Sequence, residues 1–327
     1  MRVFKRICML VTGFVLFLAG LLKLMDPVGA GLQMEAYFQF LHIAFLSPLS
    51  GVAAWSASLF ETVLGAAVIT GVWKKPVGKV TWCVLVFFTV LTFVMWLADP
   101  PMECGCFGEA VHLTHAQSLL KNIALLVLWA VTYIPSGQFE EPGRRRYAGF
   151  AIASCSAAIF SLVCLLTIPP VDFTSLNPGT ELVDEGVSSL SFYDASGDYA
   201  DSLATEGEVI VLSVYDPDRL SGKKWEKISA FMDMVAESGM LPVLLVATAP
   251  DELPEGAFAA DRRTLMTLNR SNGGAVYVSD GQIIKKWSSR SYPEKDDLKV
   301  DLVSANTPSR MALQGFILFE IFVMLLI

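Results

Sequence analysis

Six long apolar runs constrain the fold of this chain more than any other feature of its sequence. Each run has about 20 residues, the length at which an α-helix crosses the roughly 30 Å hydrocarbon core of a bilayer. The chain is 54% hydrophobic, and its mean hydropathy is +0.52 over 327 residues. We therefore predict an α-helical polytopic membrane protein. The runs lie at 7–24, 51–73, 80–98, 118–135, 148–168 and 311–327.

A polar block, residues 170–310, separates the fifth apolar run from the sixth and is long enough for one soluble domain. It carries 23 acidic and 13 basic residues, a net charge of −10, whereas the whole chain carries −8. An acidic surface repels phosphates. The block is therefore predicted not to bind nucleic acid or anionic lipid.

Basic residues fall in alternate loops between the apolar runs. By the positive-inside rule, basic loops remain in the cytoplasm. The first loop (25–50), the third (99–117) and the polar block then all face outward, where disulfides persist. The residues that set this orientation are Arg2, Lys5, Arg6, Lys74, Lys75, Lys79, Arg144, Arg145 and Arg146.

Residues 103–109 (Glu-Cys-Gly-Cys-Phe-Gly-Glu) lie in the polar break between the third and fourth apolar runs. Two cysteines at i and i+2 reach the Cα separation of a disulfide, about 4.4–6.8 Å, only if the chain bends between them. Gly105 allows that bend because it has no Cβ. So small a ring is strained, and strained disulfides exchange readily. We predict that Cys104 and Cys106 are a catalytic redox pair; the alternative is two free thiols in a loop.

Other polar residues of this loop bear on the chemistry of the thiols. Asp99, Glu103 and Glu109 are expected to raise thiol pKa values, because nearby acids disfavour the thiolate. His112 and His115 offer imidazole ligands, so a soft metal site is a second interpretation. Its spacing, C-x-C-x5-H-x2-H, departs from the C-x2-4-C that zinc sites favour. No metal is predicted for this reason.

Two charged residues within apolar runs are candidates for cofactor binding. Glu61 lies about halfway along the second run, where an acid is expensive and usually faces a partner inside the bundle. It is either a proton carrier or quinone contact, or a buried structural hydrogen bond. Lys23 ends the first run, where it can reach the interface and pair with Asp26. Of the other cysteines, Cys164 is the one expected to lie near enough to reach the thiol pair.

The polar block has the pattern of an α/β domain. A strand, a helix and a second strand are followed by a short helix and a hairpin, which is the layout of a thioredoxin-like fold. Asp216-Pro217-Asp218-Arg219-Leu220 occupies the place of the thioredoxin cysteines, and residues 171–308 contain no cysteine. The domain is therefore predicted not to exchange thiols itself. The elements are predicted at 208–215, 222–238, 241–247, 261–270, 275–278 and 282–287.

Several short stretches resemble the DoxX/MauE family of small four-helix membrane proteins. The whole chain is similar to the longer DoxX members, with Arg270-Ser271-Asn272 matching a stretch before their last hairpin. The proline that those relatives carry next is absent, since Gly273 and Gly274 follow. Within residues 1–135, the matching positions are Ala19–Lys23, Asp26–Gly29, Glu61 with Gly65, Glu103–Glu109, Leu113-Thr114 and Lys121-Asn122.

This resemblance implies a four-part chain. Residues 1–135 are the four-helix membrane domain, 136–170 a cytoplasmic basic loop with a fifth transmembrane helix, 171–308 a degenerate thioredoxin-like domain, and 311–327 a sixth transmembrane helix. The location implied is the bacterial inner (cytoplasmic) membrane, with residues 171–308 periplasmic.

The resemblance also implies a redox role. MauE is linked to disulfide formation during maturation of methylamine dehydrogenase, and four-helix proteins of the DsbB and vitamin K epoxide reductase type pass electrons from thiols to quinones. The expected partners are the lipid bilayer and an extracytoplasmic protein thiol or assembly partner, with quinone as a candidate cofactor. The alternative is a membrane scaffold without enzyme activity, whose outer domain binds or helps assemble a partner.

Overall fold

The protein is described by a computed structural model covering residues 2–102, 104–133, 142–184 and 187–326. It divides into two compact units, Met1–Leu165 with Gln314–Ile327, and Leu166–Leu313. The helices in chain order are α1 (Arg2–Met25), α2 (Pro27–Phe40), α3 (Ser50–Thr70), α4 (Lys74–Ala98), α5 (His115–Tyr133), α6 (Arg144–Leu166), α7 (Gly222–Glu237), α8 (Arg262–Leu268) and α9 (Leu302–Leu326).

Among the described residues, five helices are long and apolar enough to cross a membrane. They are Val3–Met25, Ala44–Thr70, Lys74–Ala98, Arg144–Leu166 and Leu302–Leu325. Helix α5, with 19 residues, is not one of the five. Its first half carries Ser118, Lys121 and Asn122, which lower its hydropathy. The six-span arrangement therefore remains a prediction.

The break after α1 differs from the sequence-based expectation. The sequence predicted a loop over residues 25–50, between the first two apolar runs. Helix α1 does end at Met25, but Pro27 is the first residue of α2, where its missing N–H costs nothing. Asp26 caps this second helix by accepting from the amide of Gly29 at 2.9 Å.

Glycines set the close packing of α1 against α3. A Cβ at Gly20 would lie 2.3 Å from Thr62 Oγ1, and one at Gly65 would lie 2.3 Å from the backbone nitrogen of Phe17. Small residues of this kind let two membrane helices approach backbone to backbone. The closeness brings the end of α1 beside the middle of α3.

Helix α9 contributes its second half to the first unit. Phe316 stacks on Phe160 of α6 with ring centroids 4.5 Å apart. Glu320 is fully buried and accepts a hydrogen bond from Ser156 of α6. This intramembrane acid was not singled out from the sequence.

The second unit is built around a mixed six-stranded sheet of order β4-β7-β6-β5-β8-β9. Strand β5 pairs in parallel with β6 and antiparallel with β8. Hydrophobic clusters cover both faces of β5, which explains its unbroken apolar run. In chain order the strands are β1 (Cys106–Glu109), β2 (Val183–Asp184), β3 (Val187–Ser188), β4 (Phe192–Tyr193), β5 (Glu208–Val214), β6 (Leu241–Val246), β7 (Ala257–Ala260), β8 (Gly274–Ser279) and β9 (Gln282–Trp287).

The predicted hairpin forms through a two-residue turn. Asp280 and Gly281 have φ values of 45° and 79°, as a type I′ turn between antiparallel strands requires. Trp287 is buried, whereas Trp225 of α7 is only partly buried against the same cluster. Strands β4 and β7 were not predicted, because each is too short to show a periodic pattern.

The close contact between α1 and α3 predicts that one added methyl group destabilises the membrane unit. Gly65→Ala should lower the unfolding free energy of the membrane unit by about 1–3 kcal/mol, because the Cβ cannot fit against α1. The measurement is the thermal unfolding of the full chain in mild detergent. Gly51→Ala is the matched control in α3, since its Cβ meets nothing within 4 Å. An equal loss in both variants would contradict the close packing.

Candidate functional site

The loop between α4 and α5 is fixed at both ends by polar contacts. Thr114 and Gln117 form a capping box, with Gln117 N donating to Thr114 Oγ1 at 3.2 Å and Thr114 N donating to Gln117 Oε1 at 3.0 Å. His115 contacts Asp99 Oδ1 through Nδ1 at 3.1 Å and the carbonyl of Met102 through Nε2 at 2.9 Å. The start of α5 thus holds the start of the loop.

The two thiols of this loop lie side by side. Cys104 Sγ and Cys106 Sγ are 3.4 Å apart, and both cysteines are free. Cys104 is 2% exposed, whereas Cys106 is half-buried. A disulfide needs about 2.05 Å between sulfurs, so a small movement of the side chains would join them.

Gly105 brings the thiols together by a backbone conformation that favours glycine. Its φ is +56°, in the left-handed region that glycine tolerates. A Cβ there would also lie 1.7 Å from the side-chain amide of Gln33. The bend predicted at Gly105 is present. The lack of space for a Cβ beside Gln33, which the sequence does not show, is a second reason for glycine at this position.

Helix α2 clamps the backbone of the loop. The Gln33 amide, oriented by its partners, donates to Gly105 O and accepts from Gly105 N, both at 3.2 Å. The Tyr37 hydroxyl donates to the carbonyl of Cys104. Sequence reasoning missed both residues as loop contacts, because they are distant along the chain: Tyr37 lies 67 positions before Cys104.

The local electrostatics make the two thiols unequal. The Cys104 thiol hydrogen-bonds Cys106, and Lys121 lies beside it; together they lower the pKa of Cys106 to about 5. The same contact with Cys106, followed by burial, raises the pKa of Cys104. These contacts therefore favour the thiolate at Cys106 and the protonated thiol at Cys104.

Helix α5 presents the groups that favour this thiolate. Lys121 Nζ lies 4.9 Å from the centroid of the Phe107 ring, which fixes the cation next to the loop. Ser118, one turn earlier, is fully buried and favours the thiolate of both cysteines. Acids were expected to raise both thiol pKa values. That expectation fails for Cys106, because a thiol and a lysine outweigh burial there.

The two candidate cofactor residues, Lys23 and Glu61, form an ion pair with each other. Their side chains are 16% and 8% exposed. The cysteine loop lies on the same end of α1, since a Cβ at Gly108 would be 3.5 Å from Lys23 Cγ. The structure therefore brings the thiol loop and the charged pair to one end of the bundle.

The remaining candidates are placed apart or engaged elsewhere. Among the described residues, no three His, Cys, Asp or Glu side chains converge as metal ligands would. His112 is exposed. Cys164 is buried in α6 and lies near Asp26.

The membrane helices and the loop can now be compared with known proteins. The family model described as methylamine utilisation protein MauE matches residues 1–135, which contain α1 to α5 and both thiols. No curated protein and no solved structure matches the chain. The match confirms the family resemblance and, with the five apolar helices, a multi-pass membrane protein. Over residues 1–135 the chain is thus similar to the MauE family, and the second unit lies outside that match.

Proposed function

We propose that the chain is a membrane thiol–disulfide oxidoreductase in which Cys106 is the attacking thiol and Cys104 the resolving thiol. The observation that carries this proposal is the 3.4 Å approach of a low-pKa Cys106 to a buried, protonated Cys104. Thiolates, not thiols, attack disulfides. Cys106 is half-buried and therefore accessible to a partner, whereas Cys104 is buried and inaccessible.

The exchange transfers two electrons between the thiol pair of this chain and a disulfide of the partner. Cys106 thiolate attacks a partner disulfide, forms a mixed disulfide and expels one partner thiolate. Cys104 then loses its proton and attacks the Cys106 sulfur, which closes the Cys104–Cys106 disulfide and releases the second partner thiolate. The pair loses two electrons and the partner gains them; the reverse sequence oxidises a partner dithiol.

The partner proposed is an extracytoplasmic protein thiol, with the loop on the periplasmic side of the bacterial inner membrane. The basic loops of the chain support this orientation. The family description names methylamine utilisation. The resemblance stated from the sequence implies a role in the maturation of a protein used in that process.

Quinone remains only the acceptor that the resemblance implies. Lys23 and Glu61 already satisfy one another's charge. A cavity within the membrane unit, lined by Met9, Val68 and Trp129 among others, holds about 30 Å³, room for about one water and not for a quinone ring. This cavity is therefore too small for a quinone, and we derive no step through that group.

The second unit has a separate role in this proposal. The β5-α7-β6 unit, α8 and the β8-β9 hairpin support a thioredoxin-like assignment. Where a thioredoxin has its cysteines, Asp216 backbone groups instead bond the Asn272 amide at 3.1 and 2.6 Å. A domain with no thiol there binds a partner rather than oxidising it. The scaffold alternative applies if Cys104 and Cys106 do not alternate between dithiol and disulfide. Binding of a partner by the second unit is then the whole function.

Trapping in cells tests the thiol assignment. Cys104→Ser should accumulate mixed disulfides through Cys106, because the resolving thiol is gone. Cys106→Ser should accumulate none, since Cys104 is buried and protonated. Diagonal electrophoresis of alkylated membranes measures both, with Cys83→Ser as the control because Cys83 is an exposed cysteine on α4.

Two outcomes would contradict the assignment. Thiols that stay free in the wild-type chain under oxidant would remove the exchange function and leave the scaffold alternative. Adducts carried by Cys104 in place of Cys106 would reverse the proposed roles.

We predict that the second unit folds by itself and does not reduce disulfides. Residues 171–308 alone should give a soluble protein with cooperative unfolding, because both faces of the sheet have their own clusters. Insulin reduction by this fragment should stay at background, for want of a thiolate. A disordered fragment would contradict the autonomous thioredoxin-like domain, and measurable reduction would contradict its passive role.

A further inference from the structure

Glu320 is a buried acid of the first unit that the proposed thiol exchange does not use. It lies in the second half of α9, which packs with α1, α3 and α6 around one hydrophobic cluster. Its exposed fraction is 0%. The family match ends at residue 135 and therefore assigns nothing to this position. An ionisable residue inside an apolar span is costly, and such residues mark functional sites.

Glu320 has one polar neighbour. One carboxyl oxygen, Oε1, contacts the hydroxyl of Ser156 on α6, whereas Oε2 has no hydrogen-bond partner among the described residues. The other intramembrane acid differs in this respect, since Glu61 of α3 is paired with Lys23. The two acids thus offer a comparison within one bundle.

The helices around Glu320 bring no charge to it. Helix α1 carries its charges in its first five residues and at Lys23, and α6 carries its charges in its first turn. Glu61 is the only charged residue of α3. Within the described part of the chain, no charged or titratable side chain forms a hydrogen bond or an ion pair with Glu320. An ionised Glu320 would therefore lack both water and a cation, which makes the charged form costly.

The hydrogen bonds of Ser156 point the same way. Its hydroxyl oxygen lies 2.8 Å from the carbonyl oxygen of Ile152, 3.1 Å from that of Ala153, and in contact with Glu320 Oε1. A serine has one hydroxyl hydrogen and can donate it to one of these oxygens at a time. A protonated Glu320 removes the competition, because its own O–H donates to Ser156 while the serine hydrogen goes to Ile152.

We infer that Glu320 is an intramembrane proton-binding site, a neutral carboxylic acid in the folded protein. A proton suits the site better than a metal ion, because only the serine hydroxyl joins the carboxyl group and no cluster of metal-ligating side chains occurs among the described residues. Buried acids that hold a proton between spans are the groups from which proton relays are built. The inference is independent of the proposed thiol exchange.

Chemical modification of the full chain in mild detergent tests the protonation of Glu320. Dicyclohexylcarbodiimide is an apolar reagent that reacts with carboxylic acids carrying their proton. The acid adds to the reagent and rearranges to an N-acylurea, so no atom leaves and the residue gains the mass of one reagent molecule. Peptide mass spectrometry should find this gain at Glu320 and not at Glu61, which Lys23 holds as a carboxylate. Lys23→Met should make Glu61 react too, which shows that the reagent reaches buried acids.

Glutamine is a neutral copy of a protonated glutamic acid and gives a second measurement. Glu320→Gln should abolish the modification at this position and change the unfolding temperature of the full chain little. Glu61→Gln is the matched control. It should lower the unfolding temperature more, because it leaves Lys23 partly buried without its anion.

Three results would overturn the inference. The first is modification of Glu61 in the Lys23→Met chain with none at Glu320. The second is equal modification of both acids in the wild-type chain. The third is a larger loss of unfolding temperature in Glu320→Gln than in Glu61→Gln, since Glu320 would then act as a charged and paired group. If the reagent modifies neither acid in any variant, the two unfolding temperatures decide.

Discussion

The site depends on the contact between the Gln33 amide and both backbone groups of Gly105. This contact occupies the space that any side chain at position 105 would need. It fixes the bend that brings the two sulfurs to 3.4 Å. Tyr37 adds a hydrogen bond one residue earlier. Without this clamp from α2, the loop would not hold two thiols at the distance from which they can close a disulfide.

The inequality of the thiols follows from what surrounds that bend. The clamp leaves Cys104 buried and Cys106 half-buried, and α5 brings Lys121 to Cys106 alone. One proton shared between neighbouring sulfurs then stays on Cys104. Thiol-exchange proteins need two unequal thiols. The attacking thiol must be a thiolate, and the resolving thiol must stay protonated until the mixed disulfide has formed. The glycine-mediated approach of α1 and α3 places the Lys23–Glu61 pair beside the same loop.

The sequence predicts features that a local pattern encodes. The apolar runs, the strand at β5 and the hairpin of β8 and β9 each lie within a few residues of their cause. The sequence does not predict contacts made across the fold. Tyr37 is 67 positions from Cys104, and Lys23 is 38 positions from Glu61.

Charge shows the same limit in another form. Acidic residues flank the thiols along the chain and predicted raised pKa values, yet for Cys106 the neighbouring thiol and a lysine on α5 decide the outcome. The spatial neighbours of this thiol, and not its sequence neighbours, set its electrostatics.

The most direct test of the account is the pH dependence of Cys106 modification in intact cells. A membrane-impermeant methanethiosulfonate should modify Cys106, identified by mass spectrometry, at a rate that is nearly constant above pH 6 and falls as the thiolate protonates near pH 5. Lys121→Ala should move this inflection upward, because it removes a cation that stabilises the thiolate. Modification only after the cells are permeabilised, or an inflection at about 8.5 as in an ordinary cysteine, would contradict the account.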